Sequence, residues 1–361
     1  MNNLFIVNTP FHLLTSFILS HSFFKNDDNY LALIHPHGYE RWADNAVMKY
    51  MSTTACGWCG VYPLINFLSS RHKTASYTSQ VQQVQKTIGS HNIERIFLGS
   101  DIDPQNQLLA ASLGLNSFIR YEDGLYSYYN ENRRRSFSDA LFHKAKIWGL
   151  EKLSGINSNL YINTSTASAS KAGTADYMYK PQLLQRYSPK AVEITQQDMH
   201  AALADLAAHN LLKPVLTSSS VLYLSQPLVE KKLFTLEDEL SCLKTLLKPL
   251  EADSVLLYKP HPNDSRSKID YFRQHLPQMV IFDSIEPAEL LYYTENNLKS
   301  VVSYQSTALM YADKFAHHPI KSISLSDFAD SPMFIKYKEI MQNAGVYFPK
   351  TLDEIVNYIE K

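Results

Sequence analysis

Short apolar runs alternate with longer amphipathic stretches along most of the chain. LFIV, residues 4–7, predicts a first strand, and TPFHLLTSFIL turns into a helix that Pro10 can open, since a proline at the first helical position sacrifices no hydrogen bond. YLALIHP (30–36) predicts a second strand. A helical stretch ending near Tyr50, the strand CGVYPL, a polar helix from Ser79 to Ile88, the strand RIFLGS, a helix over 105–113 and the strand SFIRYEDG follow. Strands alternating with helices predict βαβ units and a parallel sheet. From about 125 to 190 the chain is polar and rich in Tyr and Ser without a clear period, as acceptor-binding loops or a linker would be.

The rhythm restarts with the strand VLYLSQ (221–226), the amphipathic helix 235–248, the strand and loop SVLLYKPHP, and MVIFDS. A helix PAELLYYT opened by Pro287, a strand KSVVSYQST feeding a helix, a last strand KSISLS and a C-terminal helix capped by Thr351 or Asp353 complete it. Two α/β halves, residues 1–195 and 196–361, predict two Rossmann-like domains facing across a cleft. In open α/β sheets ligands sit at the carboxyl ends of strands, so the strand-end loops are where chemistry is expected.

Composition narrows the classes. A chain of 361 residues exceeds the roughly 250–300 at which single cores divide. Thirty-four Lys and Arg against 35 Asp and Glu leave a formal net charge of −1, with no global field to draw in a nucleic acid. Three cysteines are too few for a disulfide framework and point to a reducing compartment, the cytoplasm. The apolar N-terminal stretch is broken by Asn8, Pro10 and His12 and lacks a preceding positive region, so it reads as domain structure. No run reaches the roughly 18 uninterrupted apolar residues of a membrane span. The 23 Tyr and 17 Phe leave aromatic surface for peripheral membrane contact, although filling cores is their plainer use.

In VLLYKPHPND (255–264), Pro260 and Pro262 fix φ at about −65° on both sides of His261. The histidine is held stiffly beside Lys259, as a proton donor, an anion clamp or simply a rigid turn. In YEDG (121–124) the neighbouring carboxylates Glu122 and Asp123 point opposite ways. One can act as a general base while the other orients the loop, unless the stretch is only a turn. Glu289 sits on the Pro287 helix, and Ser306-Thr307 stand where strand KSVVSY gives way to helix TALMYA, where hydroxyls and amides bind phosphate as readily as they cap. Asp101 and Asp103 in GSDID suit a strand-end turn better than a metal. Cys56-Gly57-Trp58-Cys59 lacks both a second pair and the strand-then-helix setting, and reads as buried or incidental thiols. Arg133-Arg134-Arg135 is a solvated run or a contact for anionic lipid or acidic glycan. Thr9, Pro10 and His12 in NTPFH, and His35 in His35-Pro36-His37-Gly38, are placed to touch an acceptor.

Glu122-Asp123-Gly124, then Lys259-Pro260-His261-Pro262, then Ser306-Thr307, in that order, resemble the motifs of bacterial GT-B sialyltransferases. The likeness is greatest to the lipooligosaccharide sialyltransferase family, glycosyltransferase family 52, and more distant to the marine-bacterial and capsular polysialic acid enzymes. The resemblance implies an α/β GT-B fold with an N-terminal acceptor domain carrying the acidic motif and a C-terminal donor domain. It implies inverting transfer of sialic acid from CMP-sialic acid, with neither metal nor cofactor, to a sugar hydroxyl such as a terminal galactose of a lipooligosaccharide. Under it, Glu122, with Asp123 as the alternative, is the base, and His261 assists departure of CMP. Ser306 and Thr307 bind the phosphate, Glu289 rather than Glu286 holds the ribose, Lys259 lies near the cytosine, and Gly124 and Pro262 complete the donor-binding set. The implied partners are a nucleotide sugar, a glycan acceptor and a second copy in a homodimer. A lipid-linked acceptor would place the protein on the cytoplasmic face of the inner membrane. Pro260 and Thr307 depart from the strictest form of the motifs. The chemistry is consistent, because loss of CMP needs a base for the incoming hydroxyl and donors around the departing phosphate. A transferase for CMP-Kdo or a pseudaminic-type donor, and a noncatalytic nucleotide- or glycan-binding module, would share these features.

Overall fold

The computed structural model describes residues 1–35, 40–65, 73–129, 137–155, 170–216, 218–248, 254–329 and 335–360. The chain forms two compact units, Met1–Leu206 and Ala207–Lys361. The division expected after residue 195 falls just ahead of the helix Gln196–Ala208, whose Asp205 accepts a hydrogen bond from Tyr50 Oη at 3.0 Å within the first unit.

The first unit is a seven-stranded, wholly parallel sheet. Its strands are β1 (Asn2–Val7), β2 (Asp28–His35), β3 (Gly60–Ile65), β4 (Arg95–Leu98), β5 (Phe118–Tyr121), β6 (Gly173–Met178) and β7 (Ala191–Glu193), in the spatial order β3-β2-β1-β4-β5-β6-β7. The helices are α1 (Pro10–His21), α2 (Glu40–Ala43), α3 (Ala46–Met51), α4 (Lys73–Thr87), α5 (Pro104–Ser112), α6 (Phe137–Ser154) and α7 (Gln196–Ala208). Leu4 to Val7 are all fully buried, so β1 reads as a continuous apolar run, as a parallel strand covered on both faces must. On one face Leu4, Ile6, Ala32, Ile34, Ile96 and Leu98 pack with Val84 and Ile88; elsewhere Phe5 stacks on Phe97 with ring centroids 4.4 Å apart. α1 starts as expected, with Thr9 extended at the N-cap, its Oγ1 accepting from His12 N at 3.1 Å, and Pro10 first in the helix.

Two expectations need correction here. The polar stretch 125–190 is neither linker nor loop alone: it carries a 3₁₀ turn (Leu125–Ser127), α6 and β6. β6 escapes the alternation rule because it buries a charge, Asp176, at its centre. α4 begins at Lys73, six residues before the expected Ser79.

The second unit is a five-stranded parallel sheet of β8 (Ser220–Leu224), β9 (Val255–Lys259), β10 (Val280–Ile281), β11 (Leu298–Ser303) and β12 (Lys321–Ser324), ordered β10-β9-β8-β11-β12. Its helices include α8 (Leu236–Leu247), α9 (Arg266–His275), α10 (Glu289–Thr294) and α11 (Ala312–Phe315). Val221, Tyr223, Leu243, Leu256, Tyr258, Phe272, Val302 and Ile323 form the core. A capping box of Thr235 and Asp238 opens α8, and Thr351 Oγ1 accepts from Glu354 N at 3.2 Å at the start of the C-terminal helix Leu352–Glu360.

The expected helix TALMYA is instead a 3₁₀ turn, Thr307–Met310, and then the single turn α11. Tyr311, with φ −111° and ψ 0°, breaks the α geometry between them. Pro287 precedes α10 by two residues, with Ala288 as its N-cap. In each unit the first strand lies inside the sheet and the chain later crosses to its other side, at β4 and at β11, which creates a switch point beside the first strand's carboxyl end. Among the described residues no helix is long and apolar enough to cross a membrane.

Candidate functional site

In the first unit, chemistry gathers beyond β1, β4 and β5, neighbours at the switch point. Glu122 and Asp123 leave β5 in opposite directions. Glu122 is completely buried; its Oε2 accepts from Tyr128 Oη at 2.6 Å and from Tyr179 N at 2.8 Å. It ties the end of β5 to the end of β6, and its charge adds to burial in lifting the Tyr128 phenol well above its usual range. Asp123 is about a quarter exposed, and its Oδ1 lies 2.5 Å from His12 Nε2. Its backbone amide donates to Ser127 Oγ at 2.8 Å, and Gly124, at φ +84°, supplies a left-handed turn that side chains disfavour.

His12 is 2% exposed, and its Nδ1 has no hydrogen-bond partner among the described residues. Nε2, held on Asp123, is therefore the polar contact that fixes the ring. The ring stands edge-on to Tyr121 and lies over Gly99, where an added Cβ would come within 2.6 Å of Nε2. Gly99 was not singled out in the sequence; its place in LGSD, at the end of a strand, was the available signal. His12, expected to contact an acceptor, is brought to the acidic motif.

Asp101 and Asp103 divide the work of a turn. Buried Asp101 accepts from Arg120 Nη1 at 3.2 Å and from Ser170 N at 3.0 Å, while Asp103 caps α5 through Gln105 N at 2.8 Å. Burial, with a smaller contribution from the Asp123 charge, holds Asp103 above the usual carboxylate range. Arg120 also meets Asp176 at 2.6 Å, and Arg186 meets Asp176 at 2.9 Å. Burial alone would raise Asp176, but hydrogen bonds from both arginines hold it at about 2. Gly173 makes room for this, since any Cβ there would overlap the Arg120 guanidinium.

In the second unit, the loops after β9 and β11 flank the end of β8. His261 is half-buried; its Nδ1 accepts from Asn263 N at 3.1 Å, which leaves a neutral ring with its proton on Nε2. Burial shifts its pKa downward. Its amide donates to Asp264 Oδ2 at 2.9 Å, and Asp264 in turn meets the fully buried Lys268 at 3.1 Å. Lys268 also lies 2.8 Å from Glu239, which burial lifts to about 7 against the pull of that lysine. This support beneath the loop, Asp264 with Lys268 one helical turn on, was missed although the spacing is legible. Lys259 Nζ donates to Ser284 O at 2.7 Å; burial lowers it to about 8 and raises the nearby Glu289 to about 7. Ser306 is the N-cap of the 3₁₀ turn but makes no side-chain cap bond, and with Thr307 it is half-buried at the end of β11. Pro262 is exposed.

The side chain of His35, the last residue of β2, lies outside the described residues, as do Pro36-His37-Gly38 and Arg133-Arg134-Arg135. Cys56 is buried and Cys59 exposed, both as free thiols. Among the described residues no three His, Cys, Asp or Glu side chains form a metal-binding group.

A comparison with curated proteins finds no match. Among solved structures the chain is similar to a UDP-GlcNAc 2-epimerase from Methanocaldococcus jannaschii in complex with UDP-GlcNAc and UDP, at 14% identity and a TM-score of 0.53, covering 100% of this chain and 92% of that one. It is similar to the UDP-GlcNAc 2-epimerase from Neisseria meningitidis bound to UDP-GlcNAc, at 12% identity and 0.53, over 100% and 93%. It is also similar to the glycosyltransferase VinC in complex with dTDP, at 11% and 0.52, over 100% and 90%. Likeness at such identities shows the fold, two parallel-sheet α/β domains of the GT-B kind. The motifs pointed first to glycosyltransferase family 52; the family profile that matches, over residues 3–325, is that of the alpha-2,8-polysialyltransferases. That match takes in the acidic motif, the KPHP loop and Ser306-Thr307, and the chain belongs to the alpha-2,8-polysialyltransferase family, a family of sialyltransferase-type glycosyltransferases.

Proposed function

We propose that the protein is an inverting sialyltransferase that moves sialic acid from CMP-sialic acid to a sugar hydroxyl without a metal ion or cofactor, with Asp123 rather than Glu122 as its base. The observation that carries this reading is the difference between the two acids. Glu122 spends a buried oxygen on Tyr128 and the amide of Tyr179, whereas Asp123 is partly open and oriented by His12. Asp123 takes the proton of the acceptor hydroxyl as that oxygen attacks the anomeric carbon; the bond to CMP breaks, and the leaving phosphate accepts a hydrogen bond from His261 Nε2–H. The hydroxyls of Ser306 and Thr307 serve the same phosphate, Glu289 the ribose and Lys259 the cytosine. A terminal galactose of a lipooligosaccharide and a terminal sialic acid are the acceptors that the motif resemblance and the family support, with the protein on the cytoplasmic face of the inner membrane and paired as a homodimer.

The test is acceptor-stimulated CMP release from CMP-sialic acid and CMP-Kdo, with galactose-ended and sialic-acid-ended oligosaccharides, in EDTA. The expected result is release from CMP-sialic acid alone, lost in Asp123→Asn and in His261→Ala. Release only from CMP-Kdo would overturn the donor, and activity surviving Asp123→Asn would overturn the base.

A further inference from the structure

The chain has three tryptophans. Trp42 and Trp58 are 0% and 3% exposed, while Trp148 is 61% exposed on α6, beside Leu141 at 59% and Phe142 at 74%. Leu141, Ala145, Trp148 and Lys152 recur at spacings of four, three and four, so they share one stripe of the helix. All four are exposed, as is Lys144 beside the stripe. α6 packs against α4, yet its apolar residues are spread around the helix, and a helix apolar on more than one side leaves a face to be covered. The 18 residues of α6 extend about 27 Å, and the stripe about 16 Å of that.

Charge separates the candidate occupants. Along α6 the sequence holds Lys144, Lys146 and Lys152 against Asp139 and Glu151, a net of +1 in a chain whose net is −1, and Lys144 and Lys152 are exposed. An acidic sugar would need hydrogen-bond donors and acceptors from the stripe, and Leu141 and Phe142 supply none. A lipid interface rewards Leu and Phe below the headgroups, Trp at their level, and lysines that reach up to anionic phosphates. We propose that the outer face of α6 docks the protein on an anionic membrane surface, with Leu141, Phe142 and Trp148 inserted and Lys144 and Lys152 on the headgroups. The proposal rests on this helix and is independent of the assignment of Asp123, so binding and turnover fail or succeed separately.

The experiment is co-sedimentation of the full chain with vesicles of phosphatidylcholine, with and without phosphatidylglycerol, beside quenching of tryptophan fluorescence by brominated lipid. Wild type is expected to bind the phosphatidylglycerol vesicles at least tenfold more tightly than phosphatidylcholine alone, with the difference shrinking in high salt. Phe142→Ser/Trp148→Ser and, separately, Lys144→Glu/Lys152→Glu are each expected to weaken binding at least tenfold while turnover of a soluble acceptor is kept. Trp148→Phe should still bind but lose the quenching, because Trp42 and Trp58 are buried. Equal binding by wild type and both double variants, or no binding by wild type, overturns the proposal. Displacement from vesicles by a soluble sialylated oligosaccharide would reassign the face to glycan, and self-association lost in Phe142→Ser/Trp148→Ser without vesicle binding would reassign it to a second copy.

Discussion

His12 and His261 stand just beyond the carboxyl ends of parallel strands in different units, and their rings are held in opposite ways. His12 turns Nε2 toward a carboxylate and leaves Nδ1 buried and unpartnered; His261 gives Nδ1 to the amide of Asn263 and leaves Nε2 open. One Nε2 is thereby committed to a carboxylate inside the protein, while the other stays available. In the proposed mechanism the same residue type would support a base in one place and serve as a donor in the other, according to fixed neighbours. Adjacent Glu122 and Asp123 make the same point for carboxylates.

The contrast is tested most severely at the acids. Asp123→Asn should cost about 10²–10⁴-fold in kcat with the melting temperature unchanged. Glu122→Gln should instead lower stability by about 1–3 kcal/mol while each folded molecule keeps its turnover. The opposite pattern would make Glu122 the base. Next is Gly99→Ala, whose Cβ would press on His12 at 2.6 Å and swing it from Asp123. A loss of about 10²-fold in kcat with an unaltered KM for the donor is expected, and full activity would show that His12 does not orient the base.

The two units should also respond to pH in opposite directions. Glu239 is raised from its ordinary 4.5 to about 7, so the folded second unit keeps a proton that the unfolded chain has lost. Its stabilisation is complete below pH 4.5 and is lost as pH rises through 7. Asp176 is lowered from 3.8 to about 2, so its contribution to the first unit is present above pH 3.8 and is lost as pH falls through 2. Hydrogen exchange, corrected for intrinsic rates, should show β9 losing protection between pH 5 and 8 while β5 and β6 hold theirs and weaken only in acid; equal protection of β9 across that range would remove Glu239 from the account. The smallest effect is Thr235→Ala, which removes the capping box of α8 and should cost about 1 kcal/mol by urea unfolding, with no change in kcat.

The sequence made legible those parts whose physics is local. β1, β8 and β9 are runs buried on both faces, Pro10 announces α1, and the alternation of elements implies parallel sheets. β6 was hidden because Asp176 is paid for by Arg120 and Arg186, residues that no local pattern links to it. The partner of Asp123 was hidden because His12 lies 111 residues away in sequence and is brought near only by the order β1-β4-β5. Alternation said that Glu122 and Asp123 point apart without saying which way is inward, and that depended on Tyr128 and Tyr179. The 3₁₀ turn at Thr307 replaced a helix because Tyr311 breaks the α geometry after one short turn.

Gly99 and Gly173 each reserve a volume that another residue fills, an imidazole in one case and a guanidinium in the other. In a saturation mutagenesis map both should be as intolerant as the acids, although neither has a side chain with which to do chemistry. Catalytic residues picked from such a map by intolerance alone would therefore include these two empty positions, and only a readout that separates folding from turnover would sort them from Asp123.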